Sequence, residues 1–94
     1  MSRVHDLMTD WRRRASSLRC REVVRGLESL GFTVKDRGSA GHKTYAHSGL
    51  RDWPGGSFNC GHGRNPEILS SYVGNILRVL ERFLAELELL QPQP

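Results

Sequence analysis

An apolar stripe running from Cys20 to Leu30 stops at Gly31, and within one residue the hydrophobic period shortens from that of a helix to that of a strand. Cys20, Val23, Val24, Leu27 and Leu30 recur at i, i+3, i+4, i+7 and i+10, which is one face of an amphipathic helix over 18–30. Ser17 can cap it, because a serine oxygen accepts from the first free amides. Gly31 stands where a left-handed C-cap belongs. Gly26 is costly inside a helix and can mark close packing against another element. Phe32-Thr33-Val34-Lys35 then alternates apolar and polar as a first strand.

Asp36 to Gly41 reads as a turn, His42 to His47 as a second strand, and Ser57-Phe58-Asn59-Cys60 as a third. Ser48 to Gly56 joins the last two and is punctuated by Pro54-Gly55-Gly56. Gly61-His62-Gly63-Arg64 is a flexible loop. A closing helix starts either at Asn65, with Pro66 in its first turn, or at Ser70 or Ser71. Its apolar face is Val73, Ile76, Leu77, Leu80, Phe83, Leu84 and Leu87. Ahead of all this, Val4, Leu7, Met8 and Trp11 form one face of a short helix, followed by Arg12-Arg13-Arg14.

The order is helix, three strands, helix, with an extra N-terminal helix possible. It predicts a two-layer α+β fold: a three-stranded antiparallel sheet with helices on one face and the other face open. Residues 1–17 are an N-terminal extension, 18–90 a single domain and 91–94 a disordered tail.

Charge narrows the partners. Lys and Arg outnumber Asp and Glu by 14 to 10, and Arg3, Arg12, Arg13, Arg14, Arg19, Arg21 and Arg25 crowd the first third. Such an excess supports a polyanionic partner. No apolar run is long enough to span a membrane, and the first residues lack the continuous apolar core of a secretory signal. A cytoplasmic protein is therefore expected, with Cys20 and Cys60 as buried thiols rather than a disulfide. Cys60-Gly61-His62 hints at zinc, but a structural zinc site needs four ligands in paired short spacings. No metal and no cofactor are expected.

Leu18-Arg19-Cys20-Arg21-Glu22-Val23-Val24-Arg25-Gly26-Leu27-Glu28-Ser29-Leu30-Gly31-Phe32 resembles the opening of HicA-type toxins, where a helix ends in Leu-Gly-Phe and runs into a strand. Gly41-His42-Lys43-Thr44-Tyr45-Ala46-His47 is similar to that family's Gly-Ser-His segment, which an aromatic residue and a second histidine follow. Cys60-Gly61-His62-Gly63 and the last helix sit where the family has its third strand, a histidine-bearing loop and its closing helix. The resemblance covers roughly residues 18–80. It implies a fold like a double-stranded-RNA-binding domain, ribosome-independent mRNA cleavage, a catalytic histidine matched by position to His42, and a HicB-type antitoxin covering the active site. The chain departs from the family just before His42. Aligned without a gap, the family's glycine and serine fall on Ala40 and Gly41; with an insertion they fall on Gly38 and Ser39.

Histidine exchanges protons near neutral pH, so His42 can take the 2′-hydroxyl proton that starts RNA cleavage. Arg37, Ser39, Gly41 and Lys43, which flank it, are candidate RNA contacts, as are His62 in its glycine-flanked loop and Arg19, Arg21 and Arg25 on the polar side of the first confident helix. Lys43 points to the opposite face of its strand from His42, whereas Thr44 shares the face of His42. Tyr45 either stacks on a base or packs in the core. Gly38 and Gly41 either offer amides to phosphate or simply allow positive φ. Arg12-Arg13-Arg14 either contacts nucleic acid or is solvated. The competing reading of the whole chain is a non-catalytic RNA-binding or protein-interaction module on the same fold.

Overall fold

The computed structural model describes residues 2–38 and 41–90, which form four helices and one sheet. The helices are α1 (Arg3–Arg13), α2 (Cys20–Ser29), α3 (Ser70–Arg82) and α4 (Leu84–Leu90); the strands are β1 (Thr33–Asp36), β2 (His42–Ala46) and β3 (Gly56–Asn59). The sheet is an antiparallel meander in the order β1-β2-β3. Val34 pairs with Tyr45 and Lys43 with Phe58, so these side chains share the face that meets the helices. Tyr45 and Phe58 are 3% and 1% exposed there. α2 packs on β1 and α3 on β3. The opposite face, carrying Thr33, Lys35, His42, Thr44, Ser57 and Asn59, is open, and the two-layer α+β expectation holds. The 91–94 tail lies outside the described residues.

The N-terminal helix is part of this core. Ser2 caps α1 by accepting from the His5 N–H at 3.1 Å, and Val4, Met8 and Trp11 are buried against the rest of the molecule. A Cβ added at Gly26 would lie 2.5 Å from Cζ2 of Trp11 and 2.9 Å from Cδ1 of Leu7, so the glycine does mark a close approach of α1 to α2. Trp53 sits among Phe32, Tyr45 and Phe83 with ring centroids 5.3–6.0 Å away, capping the edge of the aromatic core.

Several local expectations are corrected. α2 starts at Cys20, and Ser17 does not cap it; its hydroxyl donates to Arg14 O instead. The cap comes from Asn65, whose Oδ1 accepts from the Arg21 N–H at 3.0 Å. Asn65 is thereby committed to α2, and α3 begins at Ser70, the later of the alternatives. The closing helix is also broken. At Phe83 the backbone leaves helical geometry (φ −107°, ψ 21°), and α4 turns so that Leu87 is fully buried. Finally, Cys20 and Cys60 are joined in a disulfide, with Cα atoms 5.4 Å apart. The bridge closes because α2 begins beside the end of β3, a proximity set by topology and not by the spacing of the two cysteines.

This packing makes Gly26 and Tyr45 testable. Gly26→Ala should lower stability by about 1–3 kcal/mol in thermal unfolding, although alanine is the better helix former, because the methyl group has no space beside the Trp11 ring. Burial pushes the Tyr45 hydroxyl up to about 12 from its ordinary 10.0. Between these values the unfolded chain releases the proton and the folded chain keeps it, so stability falls as pH rises above 10. The loss amounts to about 2–3 kcal/mol, and Tyr45→Phe should remove that part of the alkaline slope in urea titrations carried from about pH 9 to about pH 12.

Candidate nucleic-acid interface

The turn into β2 is built on two glycines in the left-handed region, Gly38 at φ 75° and Gly41 at φ 82°. The Arg37 N–H donates to His42 O at 3.0 Å, closing the turn. Gly41 has a second duty. Its carbonyl accepts the Cys60 N–H at 2.7 Å, and a Cβ there would meet the backbone of Gly61, 2.7 Å from its nitrogen. The turn and the segment leaving β3 thus touch backbone to backbone. Ser39 lies outside the described residues.

His42 opens β2 on the open face, half-buried, opposite Asn59 of β3. Thr44 lies on the same face and accepts from Nε of Arg37 at 3.0 Å, which holds that guanidinium near the imidazole's strand. Lys35 is on this face too, paired with Thr44 across the sheet. Among the described residues nothing bonds the His42 ring, and no buried side-chain nitrogen or oxygen lacks a partner, so its nitrogens reach solvent. His47 is the contrast. Its Nδ1 accepts from the Gly49 N–H at 3.0 Å, which leaves the proton on Nε2, 3.0 Å from Leu30 O. Its ring also stands edge-on to Phe32 at 4.9 Å. Both nitrogens are occupied, and His47 acts as a brace between β2 and the end of α2.

The other candidates gather on the opposite side of β2. Lys43 points toward the helices and is bonded to Asp36 of β1. It lines a groove between α2 and the loop that follows β3, made of two adjoining hollows of about 370 and 200 Å³. Arg21, Arg25 and Glu28 form the helical wall, and His62 and Arg64 the loop wall; Gly41 lines the inner end. Sequence reasoning passed over Arg64, although it is a basic residue in the same glycine-flanked loop as His62. The structure therefore sorts the candidates onto two surfaces, with His42 and Arg37 on the open face and Gly41, Lys43, His62, Arg21 and Arg25 around the groove.

Three candidates go elsewhere. Tyr45 is a core residue between Phe32, Trp53 and Phe58, with no ring face for a base to stack on. The guanidinium of Arg19 donates to Asn65 O at 3.0 Å, tying the loop to α2. The Arg12-Arg13-Arg14 run is held in ion pairs within the chain: Arg12 with Glu81, Arg13 with Asp10, and Arg14 with Asp10 and Glu22. The hydrogen bond from Arg13, with help from Arg14, holds the Asp10 carboxyl below its usual range. No three His, Cys, Asp or Glu side chains come together as a metal site among the described residues.

Comparison with protein-family models, with curated proteins and with solved structures finds no match to this chain.

Gly41→Ala tests the turn. A methyl group here meets both the positive φ and the Gly61 backbone, so stability should fall by about 1–3 kcal/mol. Gly38→Ala has the same backbone strain but open space around it, and should cost less in a parallel urea titration.

Proposed function

We propose that this chain is a cytoplasmic RNA-binding protein that cleaves mRNA with His42, in the manner of the HicA-type toxins that it resembles, and that a HicB-type antitoxin neutralises it. The observation that carries the reading is the state of the His42 ring. It is half-buried on a solvent-facing sheet, beside Arg37 and Lys35, with both nitrogens open to an incoming ligand. A phosphodiester laid across this face meets two cations, and a neutral imidazole can accept the proton of the adjacent 2′-hydroxyl as that oxygen attacks its phosphate. Proton transfer of this kind contributes on the order of 10²–10⁴ in rate.

A second reading, a non-catalytic RNA-binding module, is favoured by one feature of the same site. Among the described residues no carboxylate bonds the His42 ring; Asp36, the nearest in sequence, is paired with Lys43 on the other face. Both readings predict steeply salt-dependent RNA binding. No helix among the described residues is long and apolar enough to cross a membrane. A cytoplasmic location also means that the Cys20–Cys60 bridge faces reducing conditions.

Incubating purified protein with an end-labelled RNA decides between them. Wild type should produce fragments, and His42→Ala should slow cleavage by about 10² or more while still binding. Equal cleavage by the two proteins would refute the role of His42. Binding without cleavage by either would identify the module.

A further inference from the structure

The groove between α2 and the loop after β3 is spanned by the disulfide, and both Cys20 and Cys60 line it. The two ends of the loop wall are tied by hydrogen bonds, the Gly61 N–H to Asn59 Oδ1 at one and Arg19 to Asn65 O at the other, but its tip is not. Among the described residues no side-chain hydrogen bond or ion pair reaches His62 or Arg64, and a Cβ added at Gly61 or Gly63 would meet nothing within 4 Å. One end of the loop belongs to the sheet, through the Cys60 N–H bonded to Gly41 O. The other end belongs to α2, where Pro66 O accepts the Cys20 N–H at 2.9 Å and Asn65 caps Arg21. The bridge is the covalent tie between these ends. It also acts against charge: Arg21, Arg25 and Arg64 line the groove with Glu28 as the carboxylate beside them, Lys43 being paired with Asp36, and like charges on the two walls repel.

We infer that the Cys20–Cys60 bridge is a redox-operated clasp on a phosphate-binding groove. Closed, it holds Arg64 and His62 opposite Arg21, Arg25 and Lys43, where they contact successive phosphates of single-stranded RNA. Open, the loop wall moves away and its hold on the phosphates weakens. The inference rests on the RNA-binding reading above and adds a surface on the far side of β2 from His42. The chemistry is thiol–disulfide exchange with a dithiol reductant of the class that keeps cytoplasmic thiols reduced. One thiolate of the reductant attacks a bridge sulfur to give a mixed disulfide, and its second sulfur displaces the protein thiol. The S–S bond of the protein is replaced by two S–H groups, and the reductant leaves as its own disulfide. Cys20 and Cys60 are buried, but α2 has anchors besides the bridge: Val23 and Leu27 are fully buried and the helix packs on β1.

The test uses the full chain and a fluorescent 2′-O-methyl RNA oligonucleotide, which lacks the attacking hydroxyl, so that binding is read apart from cleavage. Anisotropy titrations compare the oxidised chain, the chain reduced with dithiothreitol, and Cys20→Ser/Cys60→Ser. Reduction should weaken binding about tenfold and lower the salt slope by about 0.7 for each phosphate that the protein no longer neutralises. The double variant should match the reduced chain with or without reductant, and circular dichroism should be unchanged throughout. Equal binding by oxidised and reduced chains, with thiol titration confirming that the bridge is open, overturns the clasp and leaves the RNA reading standing. Loss of helical signal together with binding overturns it as well, making the bridge a staple of the fold. No binding by the oxidised chain refutes the RNA reading and the clasp with it.

Discussion

The structure hangs on one short seam, where the segment entering α2 lies antiparallel to the segment leaving the sheet. Ile68 N–H donates to Leu18 O, Cys20 N–H donates to Pro66 O, Arg19 pairs with Glu67, Asn65 caps Arg21, and the Cys20–Cys60 bridge closes the end. Backbone groups buried at such a junction must find partners, and here each strand of the seam supplies them to the other. The seam delays α3 to Ser70, because Pro66, Glu67 and Ile68 are engaged in backbone pairing with residues 18–20. It also sets the groove, since its walls are the two chains that the seam brings together.

Two surfaces result, on opposite sides of β2. Alternation along a strand sends His42 and Thr44 outward and Lys43 and Tyr45 inward. Neighbours in sequence therefore serve different ends: an imidazole open to solvent, a lysine paired with Asp36 and lining a basic groove, and a phenol sealed in an aromatic core. The contrast between His42 and His47 has the same origin. His47 faces inward just beyond the strand, within reach of Leu30 O and the Gly49 amide, while among the described residues nothing bonds the His42 ring.

Much of the fold was legible in periodicity. The stripe from Cys20 to Leu30, the alternation after Gly31 and the face from Val73 to Leu87 report which side of each element is buried, and burial follows directly from side-chain chemistry. Gly26 was legible too, since a glycine inside a good helix has to be explained by packing. The groups that misled are those whose partners are distant in sequence. Asn65 looks like the cap of the helix that follows it and caps the one before it. Ser17 has the chemistry of a cap and lies too early in the chain to serve as one. The break at Phe83 has no glycine or proline to announce it; it follows from the need to bring Leu87 back to the core. Arg19 and the Arg12-Arg13-Arg14 run read as free charge until their partners are known.

By itself, then, the sequence determined the helix-sheet-helix order, the faces that are buried and the placement of His42 and Lys43 on opposite sides of one strand, because each of these depends on local repeat and side-chain polarity. Tertiary structure alone decided that Cys20 and Cys60 pair, that Arg64 joins Arg21, Arg25 and Lys43 around one groove, and that Tyr45 is closed to any ligand. Those outcomes depend on which distant segments meet, and that is settled by how the helices cover the sheet.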